Sequence, residues 1–413
     1  MKVLDNPAWR PNPAEFRRTS RHTIIAEDFG NMRLALTKLG ITVSYDSFAR
    51  TPLINGGILD EAKLNQLWIK IADEFGFRPM KSSLHSLLTD EAFGSASHPV
   101  QTYLASQTWD GRPRLDTWLS VYGGAVQTPY VRAVGSLVLI AAVRRVRSPG
   151  CKFDELLVLE SPQGTLKSSA LRALCPQDEW FSDDLPLGVD SKLVIERTLG
   201  KWIIEASEMH GNRGREAEQL KAFLSRQTDG PVRLAYDHLP TTVPRQFIII
   251  GTTNTRVGYL KDQTGGRRFW PVQVQSFDLL ALERDRRQLW AEAAEREAQG
   301  VSIRLDSTLW TDASAEQEHR RAMDPWEPIL EPLFTGDGVV AMDAVRVDAV
   351  WKALECEASM LNNTHADRVG AIAQRFGFRK ARRWLDGKML HCWVKETEDQ
   401  ATDEHDPSAL PGE

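Results

Sequence analysis

The sequence predicts an α/β fold in which one buried strand leads into a phosphate-binding loop. The run from Leu156 to Leu159 is apolar enough for a buried strand, and Ala170 to Leu174 has the spacing of a helix that packs on a sheet. Between them lies SPQGTLKSS. Backbone N–H groups at the start of such a helix bind phosphate, while a lysine and a hydroxyl there reach the terminal phosphates and Mg²⁺. The stretch therefore predicts a nucleotide-binding core.

The loop departs from the pattern G-x-x-x-x-G-K-[ST] at two positions. Ser161 and Leu166 stand where the pattern has glycine, whereas Lys167 and Ser168 agree with it. If either position needs a left-handed backbone, a residue other than glycine costs about 1 to 3 kcal/mol. We therefore expect a weakened ATP site rather than an inactive one; the alternative is an ordinary turn with a surface lysine. The predicted cofactor-binding residues are Pro162, Gln163, Gly164, Thr165, Leu166, Lys167, Ser168 and Ser169.

Length and composition narrow the class of protein. The 413 residues suggest roughly three domains, and 42% hydrophobic with 26% charged residues is typical of a soluble globular chain. A net charge of -5 means that any nucleic-acid site has to be a local basic patch. No apolar run reaches the roughly 20 residues of a membrane span, and the start of the chain lacks a signal core. Because the four cysteines have no metal-ligand spacing, we expect reduced thiols in a cytoplasmic protein.

Changes in pattern divide the chain into six segments. Helical spacing at Asp60 to Phe75 belongs to the first segment, and an apolar helix over Pro129 to Val146 to the second. We interpret the arginines at the ends of that helix as solvated, with a nucleic-acid contact as the alternative, and the charged run Phe277 to Gly300 as a solvated connector. The predicted segments are an N-terminal α+β accessory region (1–95), a helical lead-in (96–150), the ATPase core (151–275), a helical connector (276–323), a winged-helix-like domain (324–396) and an acidic disordered tail (397–413).

Two further predicted strands end in polar side chains. Trp202 to Glu205 is an apolar run that ends in a carboxylate, and Glu208 follows three residues later. A strand-end acid beside a phosphate loop binds Mg²⁺, and a nearby glutamate can orient the attacking water. The strand from Gln246 to Ile250 runs into Gly-Thr-Thr-Asn254, whose amide is placed where parallel sheets bind their ligands. These residues are the predicted metal-binding and catalytic groups.

A glycine turn holds Arg267 and Arg268 just before the apolar segment Phe-Trp-Pro. The planar, charged arginine side chain can stabilise charge on a transferring phosphoryl group, often across a subunit boundary. The alternative is a pair of surface arginines beside a packed aromatic residue.

The C-terminal pattern is a short helix, two further helices and a hairpin turned by Asp386-Gly387, which is the order of a winged helix. Positive charge is concentrated on its second half, as contact with phosphates requires. Many winged helices bind protein instead, and that alternative stays open. The predicted DNA contacts here are Arg375, Arg379, Lys380, Arg382 and Arg383.

Several motifs in one order give the chain a resemblance to a known family. It resembles the virulence-associated protein E family of phage and mobile-element ATPases, which is related to superfamily 3 helicases. The resemblance extends from about His98 to Pro271. The motifs that carry it are WDGRPRL, PGCKFDELLVLE, the loop with KSS, EWFSD, KWIIEASE, RLAY, VPRQ, GTTN and GGRRFWP.

The resemblance implies an ATPase core of the AAA+ type, a homo-oligomeric ring, and work on single-stranded or forked DNA, with a possible primase partner. It implies phosphate and Mg²⁺ binding by Lys167 and Ser168, Glu205 as the Walker B acid and Glu208 as its companion. Asn254 would be the sensor and Arg267 or Arg268 the arginine finger. Pore contacts to DNA would come from Arg233, Tyr236 and Arg245.

Three functions agree with these patterns. The first is an ATP-dependent DNA helicase or translocase, which is our prediction. The second is a degenerate ATPase that acts as a DNA-binding scaffold, and Leu166 is its main support. The third is a small-molecule phosphotransferase, against which the basic C-terminal pattern and the paired arginines count.

Overall fold

The computed structural model describes residues 14–207, 214–233, 239–255, 258–260, 266–321, 323–336, 344–356, 362–385 and 388–395. The chain forms two compact units. The first unit contains Met1–Tyr259 and Gly265–Arg320, and the second contains Leu260–Thr264 and Arg321–Glu413. In the described residues, no helix has both the length and the apolar character that crossing a membrane requires.

The first unit begins with a small α+β region that has its own core. Asp28 and Asp60 accept hydrogen bonds from the first turns of two of its helices, as helix N-caps do. The predicted stripe of the second helix is buried at Leu64, Leu67 and Ile71. The helices are α1 (Phe29–Lys38), α2 (Glu61–Phe75) and α3 (Lys81–Gly94), and the strands are β1 (Val43–Asp46), β2 (Thr51–Ile54), β3 (Gly57–Ile58) and β4 (Ala96–Ser97), which form one sheet in the order β3-β2-β1-β4.

Three helices lead into the central sheet: α4 (Pro99–Ala105), α5 (Trp118–Gly123) and α6 (Pro129–Arg147). Thr128 caps α6, Pro129 occupies its first turn, and most of its length is buried. Gly135 lets α5 approach closely, because a Cβ there would lie 2.9 Å from Leu119 Cδ1, and its carbonyl accepts a hydrogen bond from the Trp118 indole. The apolar helix predicted from the sequence is thus a core helix.

The central sheet of the first unit is parallel. Its strands are β5 (Leu156–Glu160), β6 (Phe181–Ser182), β7 (Ile203–Ala206), β10 (Ile248–Thr253) and β11 (Phe269–Gln273), in the order β11-β5-β10-β7-β6. Around it lie α7 (Lys167–Leu174), α8 (Ser191–Thr198), α9 (Gly214–Leu224) and a ribbon of β8 (Thr228–Val232) with β9 (Thr241–Pro244). Because all five strands run in one direction, the loops that follow β5, β7 and β10 meet at one edge. The predicted α/β class is confirmed.

The charged segment after the sheet is packed, so the prediction of a solvated connector was wrong. It forms α10 (Leu279–Ala298) and α11 (Trp310–Arg320). Trp290 of α10 is fully buried and stacks on Trp202 with ring centroids 4.0 Å apart. Of the arginines at the end of α6, Arg144 and Arg147 both pair with Glu297 of α10, and Arg147 is exposed as predicted. An apolar stripe under the charges explains the error: one face packs on α6 while the other is charged.

The second unit has a three-stranded antiparallel sheet covered by helices. Its elements are α12 (Glu327–Thr335), β12 (Ala344–Arg346), α13 (Val347–Ala353), α14 (Asn363–Arg375), β13 (Phe378–Leu385) and β14 (Lys388–Lys395), with strand order β12-β14-β13. Leu330, Val369, Phe378 and Trp393 lie in its core. The predicted sequence of helices and hairpin is confirmed, whereas the Asp386-Gly387 turn and the acidic tail lie outside the described residues.

Candidate functional site

Four predicted site residues from three separate parts of the sequence meet at the carboxyl ends of the strands of the parallel sheet. Lys167, at the start of α7, donates a hydrogen bond from Nζ to Asn254 Oδ1 over 3.1 Å. Ser168, the next residue, donates from Oγ to Glu205 Oε1 over 2.8 Å. The lysine, the hydroxyl, the strand-end acid and the strand-end amide therefore share one cleft.

Glu205 is held in place from two sides. Its carboxylate is buried, and Oε1 accepts a second hydrogen bond, of 2.6 Å, from the hydroxyl of Thr252 on the neighbouring strand β10. Thr252 was not singled out from the sequence, although it lies in the GTTN segment. Buried carboxylates need such donors, so Thr252 fixes the orientation of the acid.

The phosphate loop has a left-handed backbone at one of its two departures from glycine. Leu166 has φ 65° and ψ 25°, and its residue is 42% exposed. Gly164 in the same loop also has a positive φ, whereas Ser161 does not. A leucine in this conformation costs about 1 to 2 kcal/mol relative to glycine. The expected strain therefore falls on Leu166 alone.

Ser161 has a different role in the loop. Its buried hydroxyl shares a 2.5 Å hydrogen bond with Thr165 Oγ1 and accepts one of 3.0 Å from Lys167 Nζ. The same ammonium donates to the Ser161 carbonyl over 2.8 Å and to the Pro162 carbonyl over 3.2 Å. Loop oxygens thus surround the lysine where phosphate oxygens would otherwise bind.

The cleft is a cavity of about 340 Å³ with a buried cation in its wall. Burial lowers the pKa of Lys167, and the nearby Glu205 carboxylate opposes that shift. A second cavity of about 590 Å³ adjoins the first one at Ser168 and Ser169, with Phe181 and Arg172 in its wall. The first cavity is lined by Gln163, Gly164, Thr165, Leu166, Lys167, Ser168, Ser169, Glu205, Ser207, Thr252, Thr253 and Asn254.

Glu208 lies outside the described residues. Among those that are described, no cluster of three or more His, Cys, Asp or Glu side chains could hold a metal ion. The Glu205 carboxylate and the Ser168 hydroxyl, which are hydrogen-bonded to each other, are both hard oxygen ligands. This set suits Mg²⁺, which keeps several waters and binds through one or two protein groups and the phosphates of its ligand.

The two predicted finger arginines lie at the opposite end of the strands, where the parallel strands begin. They directly precede Phe269, which pairs with Leu156 at the beginning of β5, whereas the phosphate loop follows the end of β5. At about 3.3 Å per residue, the strand separates them from the loop by roughly 15 Å. Arg268 pairs with Asp154 over 3.3 Å, while the Arg267 side chain is exposed. Neither arginine can contact the phosphate loop of its own chain.

The predicted pore residues divide three ways. Arg233 is exposed, and Tyr236 lies outside the described residues. Arg245 is buried; it donates to both carboxylate oxygens of Asp229, over 2.7 and 2.8 Å, and its guanidinium lies 4.1 Å from the ring centroid of Phe223. The structure therefore makes Arg245 a packing residue that joins β8 to β9, and it argues against a DNA contact.

The predicted DNA-contacting residues of the second unit lie on its last helix and hairpin. Arg375 at the end of α14 pairs with Glu327. The hairpin cations Arg379, Lys380, Arg382 and Arg383 are exposed on β13. The predicted basic surface is therefore present on the hairpin, with Arg375 engaged in an ion pair.

A buried ion pair beside the loop could not be predicted from the sequence. Glu160, the last residue of β5, is fully buried; it accepts a 2.9 Å hydrogen bond from Arg320 Nη2 and one of 2.5 Å from the Tyr259 hydroxyl. Burial and the Glu160 charge raise the pKa of Tyr259 well above its usual value. Tyr259 and Arg320 are the last residues of the two segments that make up the first unit. Glu160 therefore ties both segment ends to the strand that leads into the phosphate loop.

Comparison with known proteins identifies the family. The sequence model of the virulence-associated protein E-like domain matches residues 104–322. No curated protein matches the sequence.

Two solved structures of the apo C-terminal region of NrS-1 are similar in fold. They have TM-scores of 0.51 and 0.50 and 12% identity; each comparison covers 88% of this chain, and 98% and 99% of the other chain. At that identity the likeness shows the fold alone. The family match spans more than half of the chain. It contains Lys167, Glu205 and Asn254 as well as the two adjacent arginines Arg267 and Arg268. The chain therefore belongs to the virulence-associated protein E-like family.

Proposed function

We propose that this protein is an ATP-dependent DNA helicase or translocase that acts in the replication of a phage or mobile element. The observation that carries the proposal is the convergence of Lys167, Ser168, Glu205 and Asn254 on one cleft of about 340 Å³. These four groups are the lysine, hydroxyl, acid and amide that phosphoryl transfer from a nucleotide requires. Membership of the family supports the phage or mobile-element setting.

Lys167 is the residue that recognises phosphate in this proposal. Its ammonium is buried and donates to uncharged loop oxygens. A triphosphate would replace these acceptors with negatively charged oxygens, which form stronger hydrogen bonds with the ammonium. Backbone N–H groups at the start of α7 add to this attraction. Lys167 therefore binds the terminal phosphates.

Ser168 and Glu205 would hold Mg²⁺, which neutralises charge on the phosphate oxygens when it is bound. Glu205 is fixed by the Thr252 hydroxyl, so it can also accept a hydrogen bond from a water molecule in a defined direction. Asn254 contacts Lys167 and therefore responds to the occupancy of the phosphate position. Glu208 is proposed as the companion acid.

The second cavity supports a nucleotide rather than free phosphate as the ligand. It adjoins the phosphate cleft along α7, has a volume of about 590 Å³ and contains the ring of Phe181, above which Arg172 lies at 5.2 Å. Phe181 is itself buried beneath Arg172, whose exposed guanidinium plane is a surface on which a base can stack. We assign the nucleoside to this cavity.

The position of Arg267 supports an oligomer. An arginine finger must reach the terminal phosphate, and this side chain lies at the opposite end of the strands of its own sheet. It can therefore act only on a neighbouring copy, as in a ring. Arg267 is the better candidate, because Arg268 is paired with Asp154. DNA contacts are proposed for Arg233, Tyr236 and the basic hairpin of the second unit, whose element order is that of a winged helix.

Leu166 favours a second candidate function, a degenerate ATPase that serves as a DNA-binding scaffold. Its strained left-handed backbone is the feature that sets this loop apart from one with glycine at the position before the lysine. The two candidates differ in turnover, since a scaffold needs nucleotide or DNA binding without hydrolysis.

The deciding experiment measures ATP turnover with and without single-stranded DNA. We expect turnover that DNA stimulates in the native chain, and a loss of about a hundredfold in Lys167→Ala, because a charged hydrogen bond to phosphate contributes about 1.5 to 3 kcal/mol. Lys192→Ala is the matched control, since Lys192 is an exposed lysine on α8. Equal turnover in native protein and Lys167→Ala would overturn the proposal. Turnover that appears only in Leu166→Gly would favour the scaffold.

A further inference from the structure

The hairpin of the second unit carries an uncovered aromatic residue near its turn. Side chains alternate between the two faces of a strand, so Phe378, Lys380, Arg382 and Trp384 share one face of β13. At the inner end of this face, Phe378 is buried in the core. Trp393, which lies on β14 opposite Lys380, is buried there too. At the outer end, Trp384 is 67% exposed. The face that forms the core at one end is therefore open at the other.

Met389 lies opposite Trp384. The two residues pair directly across the antiparallel strands, and Met389 is 56% exposed. Directly opposed residues have Cβ atoms about 4.5 to 5.5 Å apart, within reach of a favourable contact between the methionine sulfur and the indole. Met389 can thus support one side of the indole and leave the other side open. The result is a small apolar platform on a hairpin whose other exposed residues, among those described, are polar.

Among the described residues of the hairpin, the charge around the platform is of one sign, and Asp386 of the turn lies outside them. The described residues of the hairpin carry no carboxylate, and their lysines and arginines are all exposed. These cations alternate between both faces of the strand pair and flank the platform on either side. They are Arg379, Lys380, Arg382, Arg383, Lys388 and Lys395. Such a surface is complementary to a polyanion.

We infer that Trp384, supported by Met389, is a stacking platform for the unpaired bases of a polynucleotide whose phosphates contact the flanking cations. The inference rests on the proposed function for the choice of DNA as the polyanion, and it adds the residue that distinguishes single-stranded from paired DNA. In a duplex both faces of each base are covered by neighbours, whereas an unpaired base presents a face on which indole can stack. The platform therefore favours single strands and junctions.

The test measures binding of a fluorescein-labelled oligothymidylate and of a duplex of equal length by anisotropy. Trp384→Ala should weaken single-strand binding about tenfold, because stacking on one base contributes about 1 to 3 kcal/mol. Duplex binding should change by less than about twofold, and Trp384→Phe should retain most of the single-strand affinity. Because the indole is uncharged, the salt dependence of binding should stay the same. Leu280→Ala, which truncates an apolar residue of the first unit that is 82% exposed, is the control.

Native affinity for the oligothymidylate in Trp384→Ala would overturn the inference, and so would an equal loss on duplex. Binding of vesicles that contain anionic lipid, lost in Trp384→Ala while oligothymidylate binding is kept, would assign the platform to a lipid surface. Binding of an acidic protein that is weakened by Arg382→Ala but not by Trp384→Ala, with oligothymidylate binding unchanged in both, would assign the hairpin to a protein partner and overturn the inference. Thermal unfolding of each variant checks that the hairpin is intact.

Basal ATP turnover separates this inference from the proposed function. It should be the same in Trp384→Ala and in the native chain, since the platform lies outside the nucleotide cleft. If the native chain shows no ATP turnover and its binding of oligothymidylate still depends on Trp384, the proposed ATP-dependent helicase is refuted. The stacking platform is then still supported. If the native chain hydrolyses ATP but its DNA binding does not depend on Trp384, the stacking platform is refuted and the proposed ATPase function is supported.

Discussion

The proposed nucleotide cleft and the C-terminal hairpin show two different uses of charged side chains. In the cleft, Lys167 and Glu205 are buried, and each has hydrogen-bond partners that fix its position. On the hairpin, cations such as Arg382 and Arg383 are exposed. The first arrangement restricts geometry, as chemistry on a small ligand requires. The second leaves long side chains mobile in water, which suits a polymer that is held mainly by its charge.

This contrast predicts that changes near the nucleotide act strongly and specifically. The largest effect should come from Arg267→Ala, which we expect to reduce ATP turnover by about a thousandfold, the lower end of the effect of an arginine finger. Arg268→Ala should reduce it much less, because that residue is paired with Asp154. Mixing the inactive Arg267→Ala and Lys167→Ala chains should restore part of the activity, since one copy would supply the cleft and the other the arginine. No recovery at any mixing ratio would exclude action between subunits.

Stability should distinguish the two regions as well. Glu160→Ala leaves the guanidinium of Arg320 buried without its main partner, and removing one member of a buried ion pair costs about 3 to 5 kcal/mol. Arg382→Ala on the exposed hairpin should change the free energy of unfolding by less than about 0.5 kcal/mol. Urea unfolding of both variants measures the difference. Similar small changes in both would mean that the Glu160 network does not hold the first unit together.

Leu166 offers a way to strengthen the cleft. Leu166→Gly should relieve about 1 to 2 kcal/mol of backbone strain. If the strain is greater when nucleotide is bound, affinity for Mg·ATP should rise by up to about thirtyfold, since each 1.4 kcal/mol is about one decade. Leu166→Ala is the matched control, because it removes the side chain and keeps a β-carbon at the left-handed position. A gain in Leu166→Ala equal to that in Leu166→Gly would assign the effect to side-chain bulk at the cavity wall.

The smallest effects should come from single cations on the hairpin. Arg382→Ala and Arg383→Ala should each weaken DNA binding modestly and lower the slope of log affinity against log salt by about one unit, because each removes one phosphate contact. Binding titrations at several salt concentrations give that slope. An unchanged slope would exclude these residues as phosphate contacts.

Local patterns were predictable, and long-range partners were not. The strands and the phosphate loop were predicted from apolar runs and turn residues. From the sequence we expect a residue other than glycine to be strained at a left-handed position, and the structure places Leu166 at such a position. The sequence could not show that Arg245 folds onto Asp229, or that Glu160 binds Arg320, because these partners are chosen by tertiary packing. The error at α10 has the same origin. Its charges are conspicuous, whereas the stripe with Leu289 and Trp290 that packs it into the core is narrow.

The most direct test of the account is equilibrium binding of Mg·ATP by titration calorimetry, with Lys167→Ala compared with the native chain and with Arg382→Ala. We predict saturable binding to the native chain and to Arg382→Ala, and a loss of about a hundredfold in affinity in Lys167→Ala. Equal affinity in all three proteins would contradict the assignment of the nucleotide to this cleft.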